Sequence, residues 1–89
     1  MNWTIELKPS AEKSYRKLSK DMRKRVRDAL MQLEQSNDPF HHPGVKALLG
    51  SLKGDYRLRI GDWRILFTPD LEQKMIYVYA IIPRGNAYK

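Results

Sequence analysis

Tyr56-Arg57-Leu58-Arg59-Ile60-Gly61-Asp62-Trp63-Arg64-Ile65-Leu66-Phe67 decides how this chain folds. Two alternating runs flank Gly61-Asp62, and glycine accepts the positive φ that a two-residue hairpin turn demands. Folded back on that turn, the runs set Ile60 opposite Trp63, Arg59 opposite Arg64, Leu58 opposite Ile65 and Arg57 opposite Leu66. Strand side chains alternate with period two. Tyr56, Leu58, Ile60, Trp63, Ile65 and Phe67 therefore form a core face, while Arg57, Arg59, Arg64 and Leu66 form a cationic platform. Like charges opposed across a ladder cost a few tenths to ~1 kcal/mol. The Arg59 and Arg64 pairing is thus expected to be offset by an anionic ligand.

Working outward, Trp3, Ile5 and Leu7 alternate with Thr4, Glu6 and Lys8 as a first strand, closed by Pro9-Ser10 with Ser10 as a candidate helix N-cap. Ala11, Tyr15 and Leu18 recur at helical spacing in a short helix ending near Ser19-Lys20. Met22, Val26, Ala29, Leu30 and Leu33 stripe a longer one that Asn37-Asp38-Pro39 stops. So short a linker makes the pair an antiparallel helical hairpin. Residues 38–54 are rich in Pro and Gly and predict a loop pinned by Val45, Leu48, Leu49 and Leu52. After the β-hairpin, Pro69-Asp70 predicts a turn, and Met75-Ile76-Tyr77-Val78-Tyr79-Ala80-Ile81-Ile82 predicts a central strand covered on both faces. The sum is an α+β domain spanning residues 1–89, a helical hairpin packed on a mainly antiparallel four-stranded sheet in the order β-α-α-β-β-β.

At 89 residues there is room for one modest core. The 17 Lys and Arg against 10 Asp and Glu give a net charge of +7, which favours a polyanionic partner: nucleic acid, an anionic surface or an acidic protein. With no cysteine, disulfides and thiolate metal ligands are excluded, and a cytoplasmic location is expected. The first residues have no long apolar run, so neither a signal peptide nor a membrane span is expected.

Lys13, Arg16, Lys17, Lys20, Arg23, Lys24, Arg25 and Arg27 crowd the helices, with only Glu12, Asp21 and Asp28 nearby to neutralise them. Such a run is either a solvated face or a contact to a nucleic-acid backbone or acidic partner. His41-His42 has no third ligand near it in sequence, and Asp55, Asp62 and Asp70 are scattered over inferred turns, so no metal site is expected. Arg57, Arg59 and Arg64 make a poor core and a good phosphate receptor, since each guanidinium fork binds two oxygens. Arg84 and Tyr88 follow the last strand and fall within reach of them.

The hairpin motif, preceded by Leu52-Lys53-Gly54 and followed by Arg84 and Tyr88, resembles the RelE/ParE superfamily of bacterial and archaeal toxins over essentially the whole chain. RelE-like members are ribosome-dependent endoribonucleases that cut messenger RNA and are neutralised by a cognate antitoxin. ParE-like members poison DNA gyrase instead. The resemblance places Arg57, Arg59, Arg64, Arg84 and Tyr88 at positions of the RelE-type site, and Pro83 where many relatives carry histidine or lysine.

The lack of clustered metal ligands predicts a metal- and cofactor-free mechanism, and the resemblance implies a toxin that aligns the RNA's own 2′-OH on the adjacent phosphate. Tyr88 would take the proton, Arg64 and Arg84 would stabilise the phosphorane, and Arg57 and Arg59 would position the phosphate or assist the leaving group. Lys13, Arg16, Lys17, Lys20, Arg23, Lys24 and Arg27 would hold ribosomal RNA. The free toxin is expected to be a monomer. A gyrase inhibitor and a non-catalytic ribosome- or RNA-binding module are the alternatives.

Overall fold

The hairpin forms in the predicted register, with Tyr56↔Phe67, Arg57↔Leu66, Leu58↔Ile65, Arg59↔Arg64 and Ile60↔Trp63. In this computed structural model, which describes residues 2–83, Gly61 turns the chain with a φ of 56° while Asp62 keeps an ordinary one. That is the pattern of a type II′ turn, whose twist matches that of the strands it joins.

The elements in chain order are β1 (Thr4–Leu7), α1 (Pro9–Lys17), α2 (Lys20–Gln35), β2 (Val45–Ala47), β3 (Tyr56–Ile60), β4 (Trp63–Asp70) and β5 (Met75–Pro83). The sheet has five strands in the order β1-β5-β4-β3-β2, not the four expected, because Val45–Ala47 pairs antiparallel with β3 inside the segment predicted as loop. Pro43-Gly44 before it and Gly50 after it masked so short a strand. Every pairing is antiparallel except β1 with β5. The predicted Pro69-Asp70 turn lies inside β4. Asp70 Oδ1 instead accepts from the backbone N–H of Glu72 and Gln73, both at 3.1 Å, and so shapes the turn just beyond.

Both helices pack on one face of the sheet. Val26, Leu33, Leu58, Ile65, Phe67, Ile76 and Val78 have no exposed surface, and Ala11, Leu18, Leu30 and Trp3 close the core around them. Burying each large apolar side chain stabilises the fold by about 1.5–3 kcal/mol. Phe40 links the loop to this core, edge-on to Trp3 and tilted on Tyr56. Ser19 caps α2, its side chain accepting from Met22 N–H at 3.1 Å. Ser10 does not cap α1. Lys8 holds that position with Pro9 at the first turn, and the Ser10 hydroxyl donates to the Tyr79 carbonyl at 2.9 Å, fixing α1 to β5. β5 is central, as expected, yet only its Ile76, Val78 and Ile81 face is buried; Tyr77, Tyr79, Ala80 and Ile82 are half-exposed on the side the helices leave open.

Candidate functional site

The open side of the sheet carries the arginines. Alternation puts Arg57 and Arg59 of β3 and Arg64 of β4 on the face opposite the helices, with Arg59 and Arg64 directly paired. Arg59 is exposed, and Arg57 and Arg64 are half-buried. Leu66, the cross-strand partner of Arg57, is 4% exposed, and Leu48, whose N–H donates to the Asp55 carbonyl, is 6% exposed; together they make an apolar floor separate from the main core. Such a floor lowers the local dielectric and strengthens any charge interaction above it.

None of the three arginines forms an ion pair among the described residues. Arg64 goes further, because its Nη1 is buried with no hydrogen-bond partner among the described residues. A buried donor left unpaired costs on the order of 1–3 kcal/mol, more when charged.

Arg57 is steered by the loop before β2. Its Nη1 donates to the Gly44 carbonyl at 3.5 Å, and Arg59 N–H donates to the same carbonyl at 2.9 Å. A Cβ on Gly44 would lie 3.1 Å from the Arg59 carbonyl, so glycine permits this close approach. His42 secures the loop: its Nδ1 accepts from Gly44 N–H at 3.0 Å, which leaves Nε2 to donate to Gln32 Oε1 at 2.9 Å. Held in that tautomer, His42 latches the loop to α2, and His41 bonds Asp38. Neither adds a ligand set. Among the described residues no three His, Asp or Glu side chains gather as a metal centre needs.

The helical cations lie on the other side of the molecule. Arg16 pairs with Glu12 and Lys24 with Asp28. Arg23 turns inward, donating to the Leu18 carbonyl at 2.8 Å and the Arg16 carbonyl at 3.3 Å, where it ties the end of α1 to α2. Lys13, Lys17, Lys20 and Arg27 remain exposed and without an ion pair among the described residues. Arg25 alone reaches the hairpin, its guanidinium lying about 3.2 Å from where a Cβ on Gly61 would stand. Arg84 and Tyr88 lie outside the described residues.

Three polar residues missing from the sequence-predicted set share the open face. Tyr79 donates to Asp55 Oδ2 at 2.8 Å and Thr68 to Asp55 Oδ1 at 2.9 Å. Burial first, then the hydrogen bond and charge of Asp55, push the Tyr79 phenol well above its ordinary value, so it stays a donor. Only the alternation of β5 hinted at this, and a bulge between Leu66 and Phe67 upsets that alternation.

The sequence from residue 5 to residue 88 matches a family model, the ParE toxin of type II toxin-antitoxin system, parDE. The chain belongs to this toxin family. Solved structures extend the likeness of this ParE-family toxin to RelE and YoeB. The RelE–RelB complex of Pyrococcus horikoshii OT3 superposes with a TM-score of 0.80 at 27% identity, covering 98% of this chain and 100% of that one. The YoeB dimer of Staphylococcus aureus gives 0.74 at 21% identity, over 98% and 100%. The isolated RelE toxin of E. coli gives 0.73 at 17%, over 96% and 87%, and shares the fold. No curated protein is significantly similar in sequence.

Proposed function

We propose that this toxin is a ribosome-dependent endoribonuclease that cuts messenger RNA by attack of a 2′-OH on the adjacent phosphate, and that a cognate antitoxin neutralises it. The observation that carries the reading is Arg64, facing Arg59 in register with a buried Nη1 that has no partner among the described residues. A fold that sets two guanidinium groups together without a carboxylate is built for an anion that arrives later. Arg57 and Arg59 hold the phosphate, and Arg64 with Arg84 offsets the charge that grows on the phosphorane. As the P–O5′ bond breaks, Arg57 or Arg59 assists the leaving 5′-oxygen, which takes its proton from water. An arginine stays protonated and takes no proton. That step falls to Tyr88, which the resemblance to RelE-type toxins assigns to the site. The 2′-OH supplies the nucleophile, and the ribosome supplies the alignment that four arginines and a phenol do not impose on single-stranded RNA.

The match to a ParE family favours a second reading, a gyrase poison without nuclease activity. Mapping RNA 5′ ends after induced expression separates the two. Cuts within translated messages, leaving 2′,3′-cyclic phosphate and 5′-hydroxyl ends and persisting in EDTA on intact ribosomes, are the expected result. A 5′-phosphate product would exclude 2′-OH attack. Intact messages with topoisomerase-linked DNA breaks would establish the gyrase reading.

A further inference from the structure

The arginines occupy only one end of the open face. Asp55 stands just before β3, two residues ahead of Arg57, and its carboxylate is gripped from two other strands by Thr68 of β4 at 2.9 Å and Tyr79 of β5 at 2.8 Å. Its own carbonyl accepts from Leu48 N–H at 2.9 Å and its N–H donates to the Leu52 carbonyl at 3.0 Å, so backbone and side chain are both fixed. In a chain of net charge +7, this carboxylate forms no ion pair among the described residues. It is held by hydroxyls and kept apart from the guanidinium groups it would otherwise neutralise.

Along β4 the open face therefore runs Arg64, Leu66, Thr68: cation, apolar floor, hydroxyl bound to a carboxylate. Four residues of strand separate its ends by about 13 Å, a backbone separation that one nucleotide and the side chains reaching for it cover together. The two hydroxyls use two of the roughly four lone-pair sites of a carboxylate. The remaining sites accept hydrogen bonds, and their charge repels phosphate.

We propose that Asp55, clamped by Thr68 and Tyr79, is a specificity residue that accepts a hydrogen bond from the amino group of a nucleobase whose phosphate rests on Arg59 and Arg64. This rests on the ribonuclease reading and names the substrate class it takes. Phosphate contacts fix register, whereas contacts to base edges carry the sequence information. Cytosine presents an amino donor where uracil presents a carbonyl oxygen, so a fixed carboxylate favours the first and rejects the second. Immobilising the reader on three strands gives the discrimination its geometry.

The test compares wild type, Asp55→Asn and Tyr79→Phe in two assays at one fixed salt concentration: equilibrium binding of oligocytidylate and oligouridylate of equal length, and the base composition at cut sites mapped on ribosomes. Wild type is expected to bind oligocytidylate roughly tenfold more tightly, the scale of one good base contact. Asp55→Asn, whose amide both donates and accepts, should lose the preference while still binding RNA. Tyr79→Phe keeps the carboxylate with one clamp removed and should retain a reduced preference, which guards against a misfolded Asn variant. Equal binding of the two oligomers by wild type, or an undiminished preference in Asp55→Asn, overturns the proposal. If neither oligomer binds, cut sites without a preference for amino-bearing bases overturn it as well. Selective binding by a wild type that cuts no message would instead remove the ribonuclease reading and leave the base-reading role in place.

Discussion

Arg64 concentrates the chemistry at the residue scale. Its side chain is half-buried, its cross-strand neighbour is another arginine, and one of its nitrogens has no partner among the described residues. Arg64→Ala is expected to slow single-turnover cleavage on ribosomes by about 10²–10³, the usual loss for one preorganised charge-stabilising group. Removing a cross-strand repulsion and an unpaired buried donor should leave the melting temperature level or raise it. A large loss of both activity and stability would mean the side chain serves the fold. Tyr79 invites a different measurement. Its phenol ionises less readily folded than unfolded, where the ordinary value is 10.0. Below pH 10 both states hold the proton and stability is unaffected by this group; above it the unfolded chain releases the proton first, so stability falls as pH rises. Alkaline melts of wild type should therefore decline more steeply than those of Tyr79→Phe from about that value upward, and parallel curves would show that the phenol is not held by Asp55.

At the scale of elements, the β3–β4 hairpin does two jobs through one turn. Gly61 has a φ of 56° and lies against the Arg25 guanidinium, so any side chain there is strained and also displaces α2's contact with the turn. Gly61→Val should cost on the order of 1–3 kcal/mol in chemical denaturation, the range for a residue forced into left-handed backbone, and should lower cleavage by loosening the Arg59 and Arg64 pair. Loss of less than about 0.5 kcal/mol, the level of an ordinary surface change, would show that the turn is not under this constraint. This hairpin was legible residue by residue in the sequence, because a two-residue turn fixes register and register fixes faces. β2 was not. Its three residues, in the short stretch between Pro43-Gly44 and Gly50, carry too little alternation to announce a strand, and they pair only because Tyr56–Leu58 offers an open edge. The supposed cap at Ser10 failed for a related reason: its hydroxyl found the Tyr79 carbonyl, 69 residues away, which no local rule anticipates.

At the scale of the whole molecule, the sheet separates two cationic surfaces that look like one in the linear sequence. Lys13, Lys17, Lys20 and Arg27 project from the helical side and Arg57, Arg59 and Arg64 from the other. Distant sites without shared partners act additively. Charge reversal at Lys13, Lys17 and Arg27 should weaken association with ribosomes and flatten its salt dependence while leaving the chemical step at saturation unchanged, whereas Arg59→Ala should slow that step. Combining them should multiply the two effects, and a combined loss no greater than either alone would mean a single continuous surface. The sequence by itself determined the helical hairpin, the register of the β3–β4 hairpin and the shared face of Arg57, Arg59 and Arg64, since turn chemistry and side-chain periodicity are local and survive in one dimension. Only the tertiary structure decided that β2 completes the sheet, that Arg23 donates to the carbonyls at the end of α1, and that Asp55 meets Thr68 and Tyr79. Each of those depends on which strands become neighbours, and burial of one common core settles that after the local pattern has been satisfied.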